Sequence, residues 1–150
     1  MDYIKPMKFV PECYESSDKL GKDILRNFLL KRGWTILKDT EDGNHDIVAE
    51  KDGVTSYFEV ELKNKYKFTD KESFKFTTVS FLGRKRRLHL KHPFNYVIIC
   101  SETGYAITLH SNEIFCEEYV EKLKINTERR KGEDTFFRVP KDLCTFFKIK

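Results

Sequence analysis

The chain has 150 residues, the length of a single domain, so we expect one core rather than two. Hydrophobic residues make up 39% of the sequence and aromatic residues 14%, which is enough apolar surface to exclude wholesale disorder. The formal net charge is +4, and no apolar run approaches the roughly 20 residues that span a bilayer. Residues 1–10 also lack the apolar segment of a signal peptide, so we expect a soluble cytoplasmic protein without a membrane partner.

The cysteines show no C-x-x-C spacing of the kind used by zinc or redox sites. They are Cys13, Cys100, Cys116 and Cys144. We interpret them as small buried residues of a protein from a reducing compartment.

Positive charge is concentrated in the segment 63–91. This segment holds ten Lys and Arg side chains against only Asp70 and Glu72, so it carries most of the positive charge and leaves the rest of the chain net negative. Four consecutive basic residues at 84–87 can reach several phosphates, and the pattern predicts a polyanionic partner. A solvated basic face is the alternative interpretation.

The first half of the chain predicts one helix followed by three strands. After a loosely structured lead-in over 1–15, apolar residues recur at helical spacing and predict a helix over 17–32. β-Branched and apolar runs then predict strands over 34–37, 47–49 and 55–63. An Asp-Gly pair between the last two strands predicts that they form a hairpin.

The second half predicts a hairpin of strands over 96–100 and 105–109, then a helix, a strand and a short helix. The longer helix is predicted over 111–124, because a serine caps it, acidic residues come early and basic residues late. A strand follows over 136–139. Pro140 then opens the short helix. Its apolar residues are Leu143, Phe146 and Phe147.

The third predicted strand divides its side chains cleanly between two faces, because strand side chains repeat every two residues. The apolar face carries Ser56, Phe58, Val60 and Leu62, and the polar face carries Tyr57, Glu59, Glu61 and Lys63. Two carboxylates and an amine therefore share one face. The alternative interpretation is an exposed polar face of an edge strand.

Asp46 opens the second predicted strand, fifteen residues before Glu61. A hairpin that turns over 51–54 and pairs residue 51 with residue 56 would place the two acids opposite each other, with Cβ atoms roughly 4.5–5.5 Å apart. Such a pair repels by roughly 3 kcal/mol at an effective dielectric near 20, and a divalent cation relieves that repulsion. Asp46, Glu61 and the Leu62 carbonyl offer the oxygens that Mg²⁺ prefers. Lys63 would then orient a water or offset phosphate charge.

This order resembles the PD-(D/E)XK nuclease superfamily. The resemblance covers roughly residues 17–110 and is carried by the helix ending at Gly33-Trp34, by Asp46, and by the E-x-K of Glu61 and Lys63. It implies an α/β, restriction-endonuclease-like mixed β-sheet core of order αβββαβ flanked by helices. On this view, 1–150 is a single nuclease domain, in which 111–150 adds a helix, a strand and a short helix.

The resemblance also implies an activity, a cofactor and site residues. Members cleave phosphodiester bonds with Mg²⁺ or Mn²⁺, so we expect a DNA endonuclease with Asp46, Glu61 and Lys63 as catalytic residues. Many members place a further acid on the first helix, about ten residues before the glycine, which makes Asp23 the candidate metal ligand. Glu15 and Asp18 are weaker candidates. His45 stands where the family's proline would sit.

Nucleic-acid contacts follow from the basic segment once a nuclease is considered. The residues expected to contact double-stranded or branched DNA are Lys65, Lys67, Lys75, Arg84, Lys85, Arg86 and Arg87. His45 could donate to a phosphate, and Glu59 is either an accessory acid or solvated. Small nucleases of this plan often dimerise to cut two strands, so a homodimer is a further expected partner.

Two other classes of function remain open from the sequence. The first is a non-catalytic nucleic-acid-binding module that has kept the nuclease fold. The second is an RNA-directed protein or a protein-interaction domain. Metal-dependent cleavage separates the enzyme from the binding module, and DNA affinity at low salt separates both from the second class.

Overall fold

A computed structural model of the chain describes residues 11–40, 43–126 and 131–150, with side chains described over 18–40, 43–121 and 135–150. It is a mixed α/β structure, as predicted, and its strands form a second sheet besides the expected mixed one. The helices are α1 (Pro11–Lys31), α2 (Arg86–Lys91) and α3 (Ser111–Ile114), and short 3₁₀ turns span Gly83–Lys85, Glu117–Tyr119 and Lys141–Leu143. No helix in the described part of the chain is long and apolar enough to cross a membrane.

The strands form a six-stranded and a three-stranded sheet. They are β1 (Thr35–Lys38), β2 (Ile47–Lys51), β3 (Val54–Leu62), β4 (Thr78–Leu82), β5 (Asn95–Cys100), β6 (Tyr105–His110), β7 (Val120–Asn126), β8 (Lys131–Pro140) and β9 (Thr145–Lys148). The larger sheet has the order β1-β2-β3-β5-β6-β9, and the smaller has the order β4-β8-β7. Among the strands of the described residues, only β3 and β5 pair in parallel, because the chain crosses over between them through β4 and α2.

The two faces of the larger sheet are buried against different elements. One face packs against α1, whose buried residues Ile24, Leu25 and Leu29 meet Val60 and its neighbours. The other face is covered by the smaller sheet and by α2 and α3. Buried residues on that side include Phe81, Leu88, Phe94, Ile114, Phe137 and Val139. Each strand in the middle of the larger sheet therefore contributes alternate side chains to two cores, as β5 does with Ile98 and Ile99.

The first predicted helix and the first three strands are confirmed, with shifted ends. The helix begins at Pro11 rather than at residue 17, with a proline at its first position, where the missing N–H needs no partner. Part of the predicted lead-in is therefore helical, and residues 1–10 lie outside the described residues. Cys100 and Cys144 are buried free thiols as predicted, whereas Cys116 is partly exposed. The side chain of Cys13 lies outside the described residues.

The predicted helix over 111–124 is wrong after its first turn. α3 ends at Ile114, the backbone of Phe115 and Cys116 leaves the helical region, and β7 follows a single 3₁₀ turn. His110, not Ser111, provides the cap, because its ring nitrogen accepts from the Asn112 N–H. Pairing of β7 with β8 along its whole length satisfies the backbone that the helix would have satisfied internally.

The predicted short helix after Pro140 is also wrong. A single 3₁₀ turn is followed by β9, which pairs with β6 at the edge of the larger sheet. Phe146 packs against the core on one face of this sheet and Phe147 against the core on the other. Adjacent residues that enter opposite cores require a strand, so burial on two faces decided the structure.

Candidate functional site

The β2–β3 hairpin places Asp46 opposite Glu59, not opposite Glu61. Asp52 and Gly53 both adopt positive φ, 53° and 79°, which makes a two-residue turn and pairs Lys51 directly with Val54. The expected pairing of residue 51 with residue 56 is therefore wrong by two positions. Glu61 lies on the predicted face of β3, but it is two residues beyond Glu59, the residue opposite Asp46.

The carboxylates of Asp46 and Glu59 each accept a hydrogen bond from a backbone N–H of the opposite strand. The Asp46 N–H donates to Oε2 of Glu59 at 2.7 Å, and the Val60 N–H donates to Oδ2 of Asp46 at 2.9 Å. These bonds satisfy backbone groups at the end of the β2–β3 ladder, and they fix both carboxylates in orientation. The hairpin therefore presents a rigid pair of acids.

Lys85 neutralises one member of this pair. Its Nζ donates to Oε1 of Glu59 at 3.1 Å, and the side chains are 15% and 5% exposed. The same ammonium lies 5.3 Å from the centre of the Tyr96 ring. Lys85 was expected to contact DNA from the surface, but the structure directs its charge inward, because a buried Glu59 needs a partner.

Asp46 keeps an unusual charge balance. Burial, and then the negative charge of Glu59, raise the pKa of Asp46 to about 6, while Lys85 and the bond from Val60 act in the opposite direction. Asp18 on α1 also raises it, which shows that this carboxylate lies within electrostatic reach. At Asp46, therefore, burial and the charge of Glu59 together outweigh the charge of Lys85.

Glu61 is held by a buried tyrosine. The Tyr96 hydroxyl lies 3.3 Å and 3.5 Å from the two Glu61 oxygens and donates to them. Burial, followed by the charge of Glu61, raises the pKa of Tyr96 well above its usual value, so the hydroxyl remains a donor. Lys63 Nζ lies 3.9 Å from Glu61 Oε2 and donates to the Ser80 carbonyl at 3.3 Å. The E-x-K pair is therefore together, as predicted.

A cleft of about 200 Å³, which we call the β3 cleft, opens beside these groups. Its lining consists of Asp18, Gly21, Val60, Glu61, Leu62, Leu82, Arg84 and Lys85. It lies between α1, the carboxyl end of β3 and the 3₁₀ turn that carries Arg84 and Lys85. Its lining combines two acidic side chains, which suit a cation, with two basic side chains, which suit a phosphate group.

Asp18, rather than Asp23, is the helix acid that faces the β3 cleft. Asp23 pairs with Arg26 at 2.5 Å, and Arg26 also bonds Asp39 at 3.2 Å, so the expected ligand belongs to a separate ion-pair network. Asp18 and Asp23 are five positions apart and therefore lie on different sides of α1. A spacing of ten residues before Gly33 thus selects an acid on the side of the helix that faces away from the β3 cleft. The side chain of Glu15 lies outside the described residues.

Among the described residues, no three His, Cys, Asp or Glu side chains are grouped closely enough to hold a metal ion. Carboxylate oxygens in the lining of the β3 cleft come from Asp18 and Glu61, Asp46 lies within electrostatic reach of Asp18, and Leu62 is also a lining residue. Carboxylate oxygens match the chemistry that Mg²⁺ and Mn²⁺ prefer, and the excess negative charge at Asp46 favours a cation. The donor set fits such an ion chemically.

The remaining basic residues divide between paired and open positions. Lys67 pairs with Glu102 at 2.8 Å and Arg86 with Glu117 at 3.7 Å. Arg87 donates to the Gly43 carbonyl at 3.2 Å. Lys65 and Lys75 lie over aromatic rings of the loop that follows β3, and Arg84 lines the β3 cleft. The four consecutive basic residues at 84–87 therefore make different contacts, and they do not form one continuous phosphate-binding surface.

His45 is placed in the interior rather than toward a phosphate. It is 2% exposed, its Nε2 lies 2.9 Å from the His92 carbonyl oxygen, and its ring packs against Tyr57 and Phe94. Burial lowers its pKa, so the ring is neutral at pH 7. Its expected accessory role is not supported by this position.

Sequence reasoning missed the roles of Tyr96 and Lys85 as partners of the two glutamates. The tyrosine sits on a strand distant in sequence, and no local pattern connects it to Glu61. The Asp46–Glu59 pairing had a signal, because a two-residue Asp-Gly turn fixes the register through Lys51 and Val54.

A scan against protein-family models and searches of curated proteins and of solved structures find no match to this chain. The nuclease resemblance therefore stays a prediction carried by the residues quoted above. DNA, a homodimer and a cytoplasmic location likewise stay predictions.

Proposed function

We propose that the chain is a Mg²⁺-dependent DNA endonuclease that hydrolyses phosphodiester bonds at the β3 cleft. The observation that carries this proposal is that Asp46, Glu59 and Glu61 lie on one face of the hairpin, and that Glu61 lines a cleft together with Arg84 and Lys85. A buried carboxylate with a raised pKa, as at Asp46, is typical of functional sites, because a stable core has no use for its charge.

The topology supports the restriction-endonuclease-like arrangement that the resemblance implies. α1 covers one face of a mixed sheet, an antiparallel hairpin carries the acids, and β3 pairs in parallel with β5 after a crossover through α2. The observed order places β4 between β3 and α2 and otherwise follows αβββαβ. In open sheets with parallel strands, ligands bind outside the carboxyl ends of those strands, where Glu61 and Leu62 lie.

Two of the three carboxylates of Asp46, Glu61 and Asp18 would hold Mg²⁺ or Mn²⁺, with the Leu62 carbonyl and waters as further oxygens, since no three acids among the described residues are grouped around one point. When bound, such an ion polarises the phosphate and lowers the pKa of a bound water. The raised pKa of Asp46 means that the site gains most from a cation above about pH 6, where this carboxyl is ionised.

The other side chains position these acids and the substrate. Tyr96 orients Glu61, and Lys85 holds Glu59, which in turn fixes the backbone of Asp46. Lys63, beside Glu61, would orient the attacking water or offset charge that develops on the phosphate. Arg84 has a planar, always charged group suited to a phosphate oxygen pair.

A second candidate is a non-catalytic DNA-binding module with the same fold. It is favoured by the pairing of Glu59 with Lys85, which already neutralises one acid, and by the absence of a three-ligand metal group among the described residues. This candidate predicts DNA binding that does not depend on Mg²⁺ and is not followed by cleavage.

The test incubates the full chain with supercoiled plasmid, linear duplex, branched DNA and single strands, in Mg²⁺, in Mn²⁺ and in EDTA. The endonuclease proposal expects nicked or cut product in either metal and none in EDTA. It expects Asp46→Asn to reduce the cleavage rate by at least about a hundredfold while DNA binding persists. Intact substrates in every metal, with binding retained by the wild-type chain, would establish the binding module instead.

A further inference from the structure

We propose that a second cleft, in which Lys63 also takes part, receives an unpaired base of the DNA strand that is cut. The proposal rests on the proposed nuclease function and names its substrate class. This cleft, which we call the aromatic cleft, has a volume of about 320 Å³, within the usual ~300–1,000 Å³ of ligand pockets. Its lining includes Tyr66, Phe68, Phe74, Phe76, Thr78 and Ser80.

Two of these aromatic side chains are open to solvent. Tyr66 and Phe76 are each 39% exposed, and their rings meet edge to face with centroids 4.7 Å apart. Phe68, at 3% exposed, belongs to the buried core behind them. Aromatic rings exposed to this extent offer a stacking surface for a base of any identity.

Ammonium groups surround the exposed rings. Lys65 Nζ lies 5.5 Å from the Tyr66 centroid, and Lys75 Nζ lies 5.7 Å from Tyr66 and 5.8 Å from Phe76. Lys63 and Arg138 also line the cleft, and Arg138 Nε donates to Glu121 Oε2 at 2.6 Å. Stacking rings combined with positive charge that follows a backbone are the features of single-strand binding surfaces, so the charge is complementary to a nucleotide and not to an apolar ligand.

The loop over 63–77 that carries the rings is held in place by polar bonds. Lys141 Nζ donates to the carbonyls of Lys71 and Phe74 at 2.9 Å and 3.1 Å, and Thr103 Oγ1 donates to the Phe68 carbonyl at 2.7 Å. A loop whose backbone is already held in place loses little conformational entropy when a ligand binds. The aromatic cleft is therefore preformed.

Lys63 connects the aromatic cleft to the proposed catalytic acids. Its Nζ lies 3.9 Å from Glu61 Oε2 and donates to Ser80 O, and both Lys63 and Ser80 line the aromatic cleft. A strand with its phosphate at Glu61 would thus place a neighbouring base at the rings. Stacked bases inside a duplex cannot enter such a cleft, so the geometry favours DNA with unpaired nucleotides beside the cut, such as gaps, flaps and branches.

The test places 2-aminopurine at the unpaired position of a flapped DNA and measures its fluorescence on binding in EDTA, where no cleavage occurs. Tyr66→Leu and Phe76→Leu remove the ring faces but keep apolar volume. Leu37→Ala, at a residue on β1 that is 52% exposed, is the control. We expect quenching by the wild type and the control, and about a tenfold weaker affinity for flapped DNA in each ring variant, with duplex affinity unchanged.

Several outcomes overturn the proposal. The first is equal affinity of the wild type for flapped and fully paired DNA. The second is a loss of affinity in the ring variants that is as large for fully paired DNA as for flapped DNA. The third is stronger quenching with an RNA flap of the same sequence. Cleavage is measured separately on the same DNAs in Mg²⁺. Cleavage without ring-dependent quenching would reject the aromatic cleft alone. Ring-dependent quenching without cleavage in any metal would reject the nuclease and support the cleft as a binding site.

Discussion

The backbone N–H of Asp46 donates to the carboxylate of Glu59, and the Asp46 carboxylate accepts from the N–H of Val60, the residue after Glu59. This reciprocal arrangement holds two acids at the end of a hairpin, although they repel each other. The repulsion is only partly offset by Lys85. A protein under selection for stability alone would replace one of these acids, so the pair indicates a function that needs the charge.

The stability of the protein should decline as Asp46 ionises. Its pKa is about 6 in the folded state and 3.8 ordinarily, so the unfolded chain ionises first, and the free energy of unfolding falls as pH rises from about 4 to 6. The contribution is up to about 3 kcal/mol. Asp46→Asn keeps an oxygen for the Val60 N–H and removes the charge, so we expect the variant to be more stable than wild type by about 1–3 kcal/mol at pH 8 and equally stable near pH 4.

Urea denaturation of both proteins at pH 4, 6 and 8, without divalent cations, measures this difference. Other carboxyl groups titrate over the same range, but they are common to both proteins. A stability difference that does not change between pH 4 and pH 8 would contradict the charge balance described for Asp46.

Removal of Lys85 should strongly destabilise the fold. Lys85→Met leaves Glu59 buried without its cation, and breaking one partner of a buried pair costs about 3–5 kcal/mol. Replacing both residues, as Lys85→Met with Glu59→Leu, should recover most of this loss, although Leu cannot accept from the Asp46 N–H. A double-mutant cycle by chemical denaturation measures the coupling. A mild effect of the single change, below about 1 kcal/mol, would show that the pair is solvent-screened.

Gly83 is required by a close approach between the 3₁₀ turn and β8. A Cβ on Gly83 would overlap the backbone carbonyl of Thr135, which cannot move as a flexible side chain can. We expect Gly83→Ala to lower the free energy of unfolding by about 1–3 kcal/mol and to displace Lys85, two residues later. Gly21→Ala is the comparison, because its Cβ would be 3.4 Å from the Val60 side chain, an ordinary contact. Equal stability of the two variants would contradict the proposed crowding.

Arg84 should contribute to DNA affinity through phosphate contact. Arg84→Gln is expected to weaken DNA binding about equally across sequences and to reduce the slope of log affinity against log salt by about one. Lys148→Gln, at an exposed position on β9, removes the same charge away from the β3 cleft and serves as the control. Fluorescence anisotropy at several salt concentrations gives both quantities. An unchanged slope for Arg84→Gln, or an equal change in the control, would place the phosphate elsewhere.

Local patterns predicted the parts of the fold in which one face or one turn decides the structure. The alternation of 55–63 gave the polar face of β3 correctly, because a sheet has only two faces. The predicted β2–β3 register pairs residue 51 with residue 56 and so implies a four-residue turn, whereas the Asp52-Gly53 turn has two residues. Glu59 was therefore assigned a minor role, although it is the cross-strand partner of Asp46.

The parts that failed depend on contacts between distant segments. β7 forms because β8 is available to pair with it, and nothing within 111–124 reports the presence of that strand. Phe146 and Phe147 have helical spacing with Leu143, but two cores on opposite sides of one sheet select a strand. Tyr96 reaches Glu61 only because β5 pairs in parallel with β3. Tertiary context overrides local preference in each case.

The most direct measurement is the single-turnover rate of DNA cleavage in Mg²⁺ by Glu61→Gln, compared with wild type and with Glu113→Gln, a charge-matched change at an exposed position of α3. DNA affinity in EDTA is measured for all three proteins. The account predicts that Glu61→Gln cleaves about a hundredfold or more slowly than wild type and retains DNA affinity. It predicts that Glu113→Gln matches wild type in both quantities. Cleavage by Glu61→Gln at the wild-type rate would contradict it.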